Sequence, residues 1–241
     1  LYDVQVYDNG GEKQIVPTGQ NGTWTTSLAI DTGEHAVYVK ALSTNQKSDT
    51  RNFRRDPIPP LYIDTSTAYL SGYMVRHTNR PVTNPPAGAY LTRGASGGIP
   101  PYRYSTDNTA YLQVDVSTGR VIGVRNGGAR VIVTDSRGST ASYSVSVQNV
   151  WYIANYGGGR HNLATMSATV NNAGGQFPAI GDYNKLRSVY GGDPGGYSYD
   201  FYWVADRHQL GSHWLLRPGD GVVYGSNDNG RVGCIGVLLR T

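Results

Sequence analysis

The chain has 241 residues, enough for one to three domains, and carries 32 Gly, 19 Tyr and 12 Pro against one Cys and two Met. Only 16% of residues are charged, and the net charge of +4 arises mainly from arginines scattered through residues 63–149. This balance excludes a long-helix protein, which needs more Leu, Glu, Lys and Ala, and a single cysteine excludes an internal disulfide. A nucleic-acid binder shows a basic cluster; only Arg51, Arg54 and Arg55 come close to one, and they read as solvated residues at a domain end.

No apolar run approaches the roughly 20 residues needed to cross a membrane. No charged-then-apolar leader opens the chain. Leu1-Tyr2-Asp3 runs straight into a strand pattern, so we expect a piece of a longer chain, with any membrane anchor lying upstream and the missing targeting signals uninformative.

Residues 1–56 read as strands separated by turns. Val4 and Val6 alternate with polar neighbours, and Asp8-Asn9-Gly10-Gly11 supplies a turn. Gln14-Ile15-Val16 is a short strand ending at Pro17. Trp24, Thr26, Leu28 and Ile30 alternate as a further strand, and His35–Leu42 alternates again. That makes four or five strands where an immunoglobulin-like sandwich has about seven, so this is a partial domain. Residues 57–62 hold Pro57, Pro59 and Pro60, and read as a short semi-rigid linker.

Residues 63–149 read as a second, complete β domain. Ala68–Val75 is a candidate strand, and Tyr143, Val145 and Val147 alternate with Ser142, Ser144 and Ser146 as a half-buried strand does. Strand signals recur every 8–12 residues.

Residues 150–241 change character. Leu163, Met166 and Val170 recur at helical spacing before Gly174-Gly175, a C-terminal stop. Pro178 opens a second short helix with Tyr183, Leu186 and Tyr190 on one face. Strand patterns and glycine-rich loops follow.

Catalytic patterns are weak. Gly191-Gly192-Asp193-Pro194-Gly195-Gly196 lacks the Lys-Ser/Thr of a phosphate loop, and no Gly-x-Ser-x-Gly elbow precedes a helix. His208 and His213 suit opposite arms of a hairpin, but zinc would need two further ligands. Tyrosine is the stronger signal: Tyr183, Tyr190, Tyr197, Tyr199, Tyr202 and Tyr224 crowd this segment beside Trp203 and Trp214. Tyr brings large contact area, few rotors and a polar tip.

Three ordered resemblances follow. Val6-Tyr7-Asp8-Asn9-Gly10, Gly22-Thr23-Trp24 and Gly33–Val37 resemble a bacterial Ig-like repeat. Gly97–Tyr104, Leu112–Val121, Gly127–Asp135 and Ala141–Val147 resemble a bacterial Ig-like group 2 domain. In residues 150–241, Phe177–Tyr183, Tyr202-Trp203, Leu216–Val223 and Gly233–Val237 resemble, in that order, a bacterial C-type-lectin-like domain, the terminal module of intimin- and invasin-type surface adhesins. Two departures stand out. The family's last cysteine usually pairs with one in the first helix, where Val170 stands here, so Cys234 is expected to be a buried free thiol. The calcium motifs Glu-Pro-Asn or Gln-Pro-Asp are absent, leaving Asn227-Asp228 alone, and one such pair cannot supply the 6–8 oxygens calcium takes.

The expectation is a mainly β, modular fold: Ig-like sandwiches at 1–56 and 63–149, then an α+β C-type-lectin-like domain at 150–241 with two short helices. The resemblance implies a non-enzymatic bacterial surface adhesin, extracellular and monomeric, without cofactor or metal. It would bind a protein receptor on another cell without calcium, and no nucleic acid. The alternative is a carbohydrate-binding module of a secreted or phage protein. The candidate contact residues are Asp193, Tyr197, Tyr199, Arg207, His208, Asn227, Asp228 and Arg231, all between the second helix and the closing strand.

Overall fold

The computed structural model describes residues 3–19, 21–77, 80–156, 161–194, 201–227 and 236–241. The chain divides into two compact units, Leu1–Pro59 and Pro60–Thr241.

The first unit is an antiparallel sheet of β1 (Val4–Asp8), β2 (Gly11–Val16), β3 (Gly33–Ala41) and β4 (Arg51–Arg55), in the order β2-β1-β3-β4. Asn9 and Gly10 both take positive φ in the β1–β2 turn, as a tight hairpin requires. Val4, Val6 and Val16 are buried, with Leu28, Val37 and Val39 packed against them. The alternating run Trp24–Ile30 is not a strand: it is extended, and Thr26, Leu28 and Ile30 are half-buried, but no described ladder bonds pair it. Its period-2 pattern marks burial of one side, which does not by itself require a partner strand.

In the second unit, Ala68–Val75 splits in two. β5 (Ala68–Leu70) and β6 (Met74–Arg76) are separated by Gly72. A Cβ on Gly72 would lie 2.4 Å from the Ala87 carbonyl oxygen, so only glycine fits there. β7 (Tyr90–Thr92), β8 (Arg103–Thr106), β9 (Leu112–Val114), β10 (Arg120–Gly123), β11 (Gly127–Thr134) and β12 (Thr140–Val147) follow. They form two sheets, β7-β10-β9 and β5-β12-β11-β8, that share one core including Leu112, Val121, Val131, Val133, Tyr143, Val145 and Val147. The last three carry the expected alternation.

β13 (Val150–Asn155), α1 (Leu163–Ala173), α2 (Ile180–Tyr190), β14 (Tyr202–Gln209), β15 (Ser212–Leu216), β16 (Val223–Asn227) and β17 (Gly236–Arg240) complete the chain in two sheets, β17-β13-β6 and β14-β15-β16. β6 therefore leaves the sandwich and pairs, parallel, with β13.

Both predicted helices are present. Asn162 caps α1, its Oδ1 accepting from the Thr165 N–H at 3.0 Å, and left-handed Gly174 closes the helix. The Gly175 amide then bonds to the Val170 carbonyl, and a Cβ on Gly175 would strike Val237 at 2.3 Å. Met166 and Val170 face the core as the spacing predicts. On α2 the buried residues are Tyr183, Leu186 and Val189, and Tyr190 is half-buried.

Strand alternation feeds two cores at once. Tyr202, Val204, Leu216 and Leu238 pack with Tyr183 and Leu186 of α2, while Trp203, Leu215 and Val237 pack with Met166 and Val170 of α1. The mainly β, modular architecture with a two-helix α+β terminal part is the fold class read from the sequence.

Candidate functional site

Exposed side chains of the terminal part lie at the two ends of the sheet β14-β15-β16, whose middle is buried on both faces. Its first hairpin turns at Leu210-Gly211, with Gly211 at φ 73°. The β14–β15 register shifts between Trp203 and Arg207 and again before Gln209. Such irregularities re-aim a side chain. Here they turn Asp206 onto α2, where its Oδ2 accepts from the Ile180 N–H at 2.7 Å, while the Ala205 amide bonds to the Pro178 carbonyl at 2.9 Å. Ala179, at the N-cap, has no acceptor of its own, so Asp206 replaces the cap from 26 residues away. Asp182 completes the helix start by accepting from the Ala179 N–H at 2.8 Å.

Beyond this kink Arg207, His208, Gln209 and Leu210 are exposed, and Leu210 is 95% exposed. His208 is held in place: its ring meets Trp214 edge-on at 4.3 Å, its Nδ1 lies 3.3 Å from the Ser212 hydroxyl, and a Cβ on Gly225 would fall 2.9 Å from that same nitrogen. Glycine at 225 thus makes room for the imidazole.

The other end of the sheet carries a second exposed group. Val222, Val223 and Tyr224 are exposed, and Tyr224 meets Phe201 at 6.2 Å, over which Arg217 lies at 5.4 Å. Residues 217–222 turn between β15 and β16 where the sequence predicts a hairpin. Asp220 binds Arg217 and accepts from the Val222 N–H, and these contacts bring its carboxyl down to about 2.

The structure gathers Arg207, His208 and Asn227 at one end: Arg207 pairs with His213, and Asn227 with Ser212. Asp193 sits elsewhere. Its carboxylate lies beside Gly219, at 3.8 Å from a Cβ placed there, and its carbonyl accepts from Arg80 at 3.4 Å. The two ends are four residues apart along β15, about 13 Å. Tyr197, Tyr199, Asp228 and Arg231 lie outside the described residues, as does Cys234. Sequence reasoning passed over Leu210, and it named Tyr224 among the clustered tyrosines without placing it or Val222 and Val223 in the contact set. The available signal was an apolar residue set beside a turn glycine, Leu210-Gly211 and Gly221-Val222.

Among the described residues no group of three or more His, Cys, Asp or Glu is placed to hold a metal ion. No helix among them is long and apolar enough to cross a membrane.

The chain is thus a β-sandwich protein ending in an α+β part whose outer sheet presents charged and aromatic side chains. No protein-family model matches the chain, and no curated protein does. Among solved structures it is similar to a C-terminal 282-residue fragment of intimin, crystallised with the intimin-binding domain of the translocated intimin receptor: 17% identity, 99% of this chain, 87% of that one, TM-score 0.49. It is also similar to invasin, a bacterial integrin-binding protein, at 12% identity over 99% of this chain and 51% of that one, with a TM-score of 0.40. A fragment of intimin from enteropathogenic E. coli matches at 22% identity over 62% of this chain and 85% of that one, with a TM-score of 0.37.

Proposed function

We propose that the chain is the receptor-binding portion of a bacterial surface adhesin, acting outside the cell. The β modules carry the terminal part, which contacts a protein on another cell without calcium and without catalysis. The proposed contact set is Asp193, Tyr197, Tyr199, Arg207, His208, Asn227, Asp228 and Arg231, extended by Leu210.

The observation that carries this reading is the ribbon Arg207–Leu210. A lone exposed leucine is ordinary on a protein surface. This one crowns a hairpin whose arm is fixed by His208 packing on Trp214 above Gly225, next to an exposed arginine. An apolar tip on a hairpin arm that is itself packed needs little backbone ordering on docking, which favours it as an anchor residue.

The test is binding of the fluorescent chain to receptor-bearing cells, compared with Arg207→Ala, Leu210→Ser and the double variant. Loss of most binding by the double variant, with unchanged folding and no response to EDTA, is expected. Undiminished binding would overturn the reading. Binding carried by a glycan array and lost with Trp214→Ala would favour the carbohydrate module instead.

A further inference from the structure

Three of the eight arginines in residues 63–149, Arg76, Arg80 and Arg125, converge in space with Arg240. A cleft of about 360 Å³ opens where the sandwich meets the sheet β17-β13-β6, lined by Arg76, Arg125, Arg240, Tyr152 and Thr241 over Ala110 and Val124. A second cleft of about 680 Å³ continues from it, sharing Arg76, Ala110 and Val124 and adding Arg80 with the hydroxyls of Ser105, Thr106 and Thr109. No Asp or Glu is among the described lining residues of either.

Arg76 is committed to structure: it donates to the Val124 carbonyl at 2.6 Å and to the His77 carbonyl at 3.1 Å. Arg125 is exposed and lies 5.9 Å from the Tyr111 ring; Arg240 is exposed at the end of β17. Neither forms an ion pair among the described residues, whereas Arg54, Arg93, Arg130 and Arg217 all do. Like charges gathered in a cleft with no Asp or Glu among its described lining residues concentrate anions there, and the guanidinium fork matches carboxylate and sulfate oxygens.

We propose that this joint is a binding groove for an acidic polysaccharide, a surface separate from the hairpin tip. The groove offers repeated cations and a row of hydroxyls. Of its apolar lining residues Val124, Leu112 and Tyr104 are buried, while Pro81 and Ala110 are exposed and Val114 and Tyr152 half-buried. A polyanion with charged groups repeated along a hydroxyl-rich chain uses what is present.

The test is binding of the full chain to heparin at 0.15 M salt. Arg125→Ala/Arg240→Ala is expected to weaken binding about tenfold, as two lost exposed ion pairs predict. Arg51→Ala/Arg137→Ala removes the same charge outside the groove and is expected to change it by less than about twofold. The charge-reversed Arg125→Glu/Arg240→Glu, with an unaltered near-UV spectrum, is expected to abolish it. Equal loss in both alanine pairs, no binding by the unaltered chain, or tighter binding of poly-glutamate than of heparin would each overturn the assignment.

Discussion

Tyr202 and Trp203 are consecutive on β14 and buried in different cores, Tyr202 against Tyr183 of α2 at 6.1 Å and Trp203 among Met166 and Val170 of α1. Trp203 also donates from its indole N–H to the His161 carbonyl at 2.7 Å. Trp203→Ala therefore opens a cavity under α1 and leaves a carbonyl unbonded. The expected cost is about 3–5 kcal/mol, read as a fall in the urea midpoint. A loss below 1 kcal/mol would mean that α1 does not depend on this side chain.

Val75 and Val189 cross in opposite directions. Val75, from β6, is fully buried in the core of α2 and β14, while Val189, from α2, is buried in the sandwich core. The Tyr190 hydroxyl accepts from the His77 N–H at 2.8 Å, and the Thr83 hydroxyl and Asn84 amide both donate to the Val189 carbonyl. Sandwich and terminal part are expected to unfold in one transition. Val75→Ala should cost about 2 kcal/mol and shift tryptophan and tyrosine signals together. Two separated transitions would contradict this.

The local features were legible in the sequence and the long-range ones were not. The helix over Leu163–Ala173 followed from Leu163, Met166 and Val170 with a glycine stop, and the Tyr202-Trp203 strand from the ordered resemblance to a C-type-lectin-like domain. The helix depends on neighbours within a few positions. The departure of β6 to a second sheet depends on a three-residue strand pairing with residues more than seventy positions later, and a short apolar run carries no sign of which sheet it joins. For the same reason Asp193 and His208, close together in the chain, fall at opposite ends of one sheet. The convergence of Arg76, Arg125 and Arg240 was equally invisible as spacing.

Asp206 supplies the cap that Ala179 cannot. Asp206→Ala is expected to destabilise by about 1 kcal/mol, the usual loss on removing an N-cap acceptor. Placing an acceptor at the cap itself, as Ala179→Ser in the same background, should restore part of it. A chemical denaturation series of the three variants decides the matter: no loss of stability in Asp206→Ala would mean that its bond to the Ile180 amide contributes nothing.

His35 sets a pH dependence in the first unit. Its Nδ1 faces the Asp8 carboxylate at 2.7 Å and its Nε2 faces the Asp31 carbonyl at 2.7 Å, with the Phe53 ring of β4 stacked at 5.4 Å. Both ring nitrogens meet acceptors, so only the imidazolium donates to both. The hydrogen bond to Asp8, then that to the Asp31 backbone, raise the imidazole above its ordinary value of 6.5. A group whose folded value is raised stabilises fully below the unfolded value, and loses that contribution as pH climbs through the folded one. The first unit should be most stable in mild acid and weaken as pH rises past 6.5. Proton NMR of the His35 ring checks the direction: titration above 6.5 is expected, returning toward it in Asp8→Asn. A midpoint below 6.5 would show that burial, and not the two acceptors, governs this histidine.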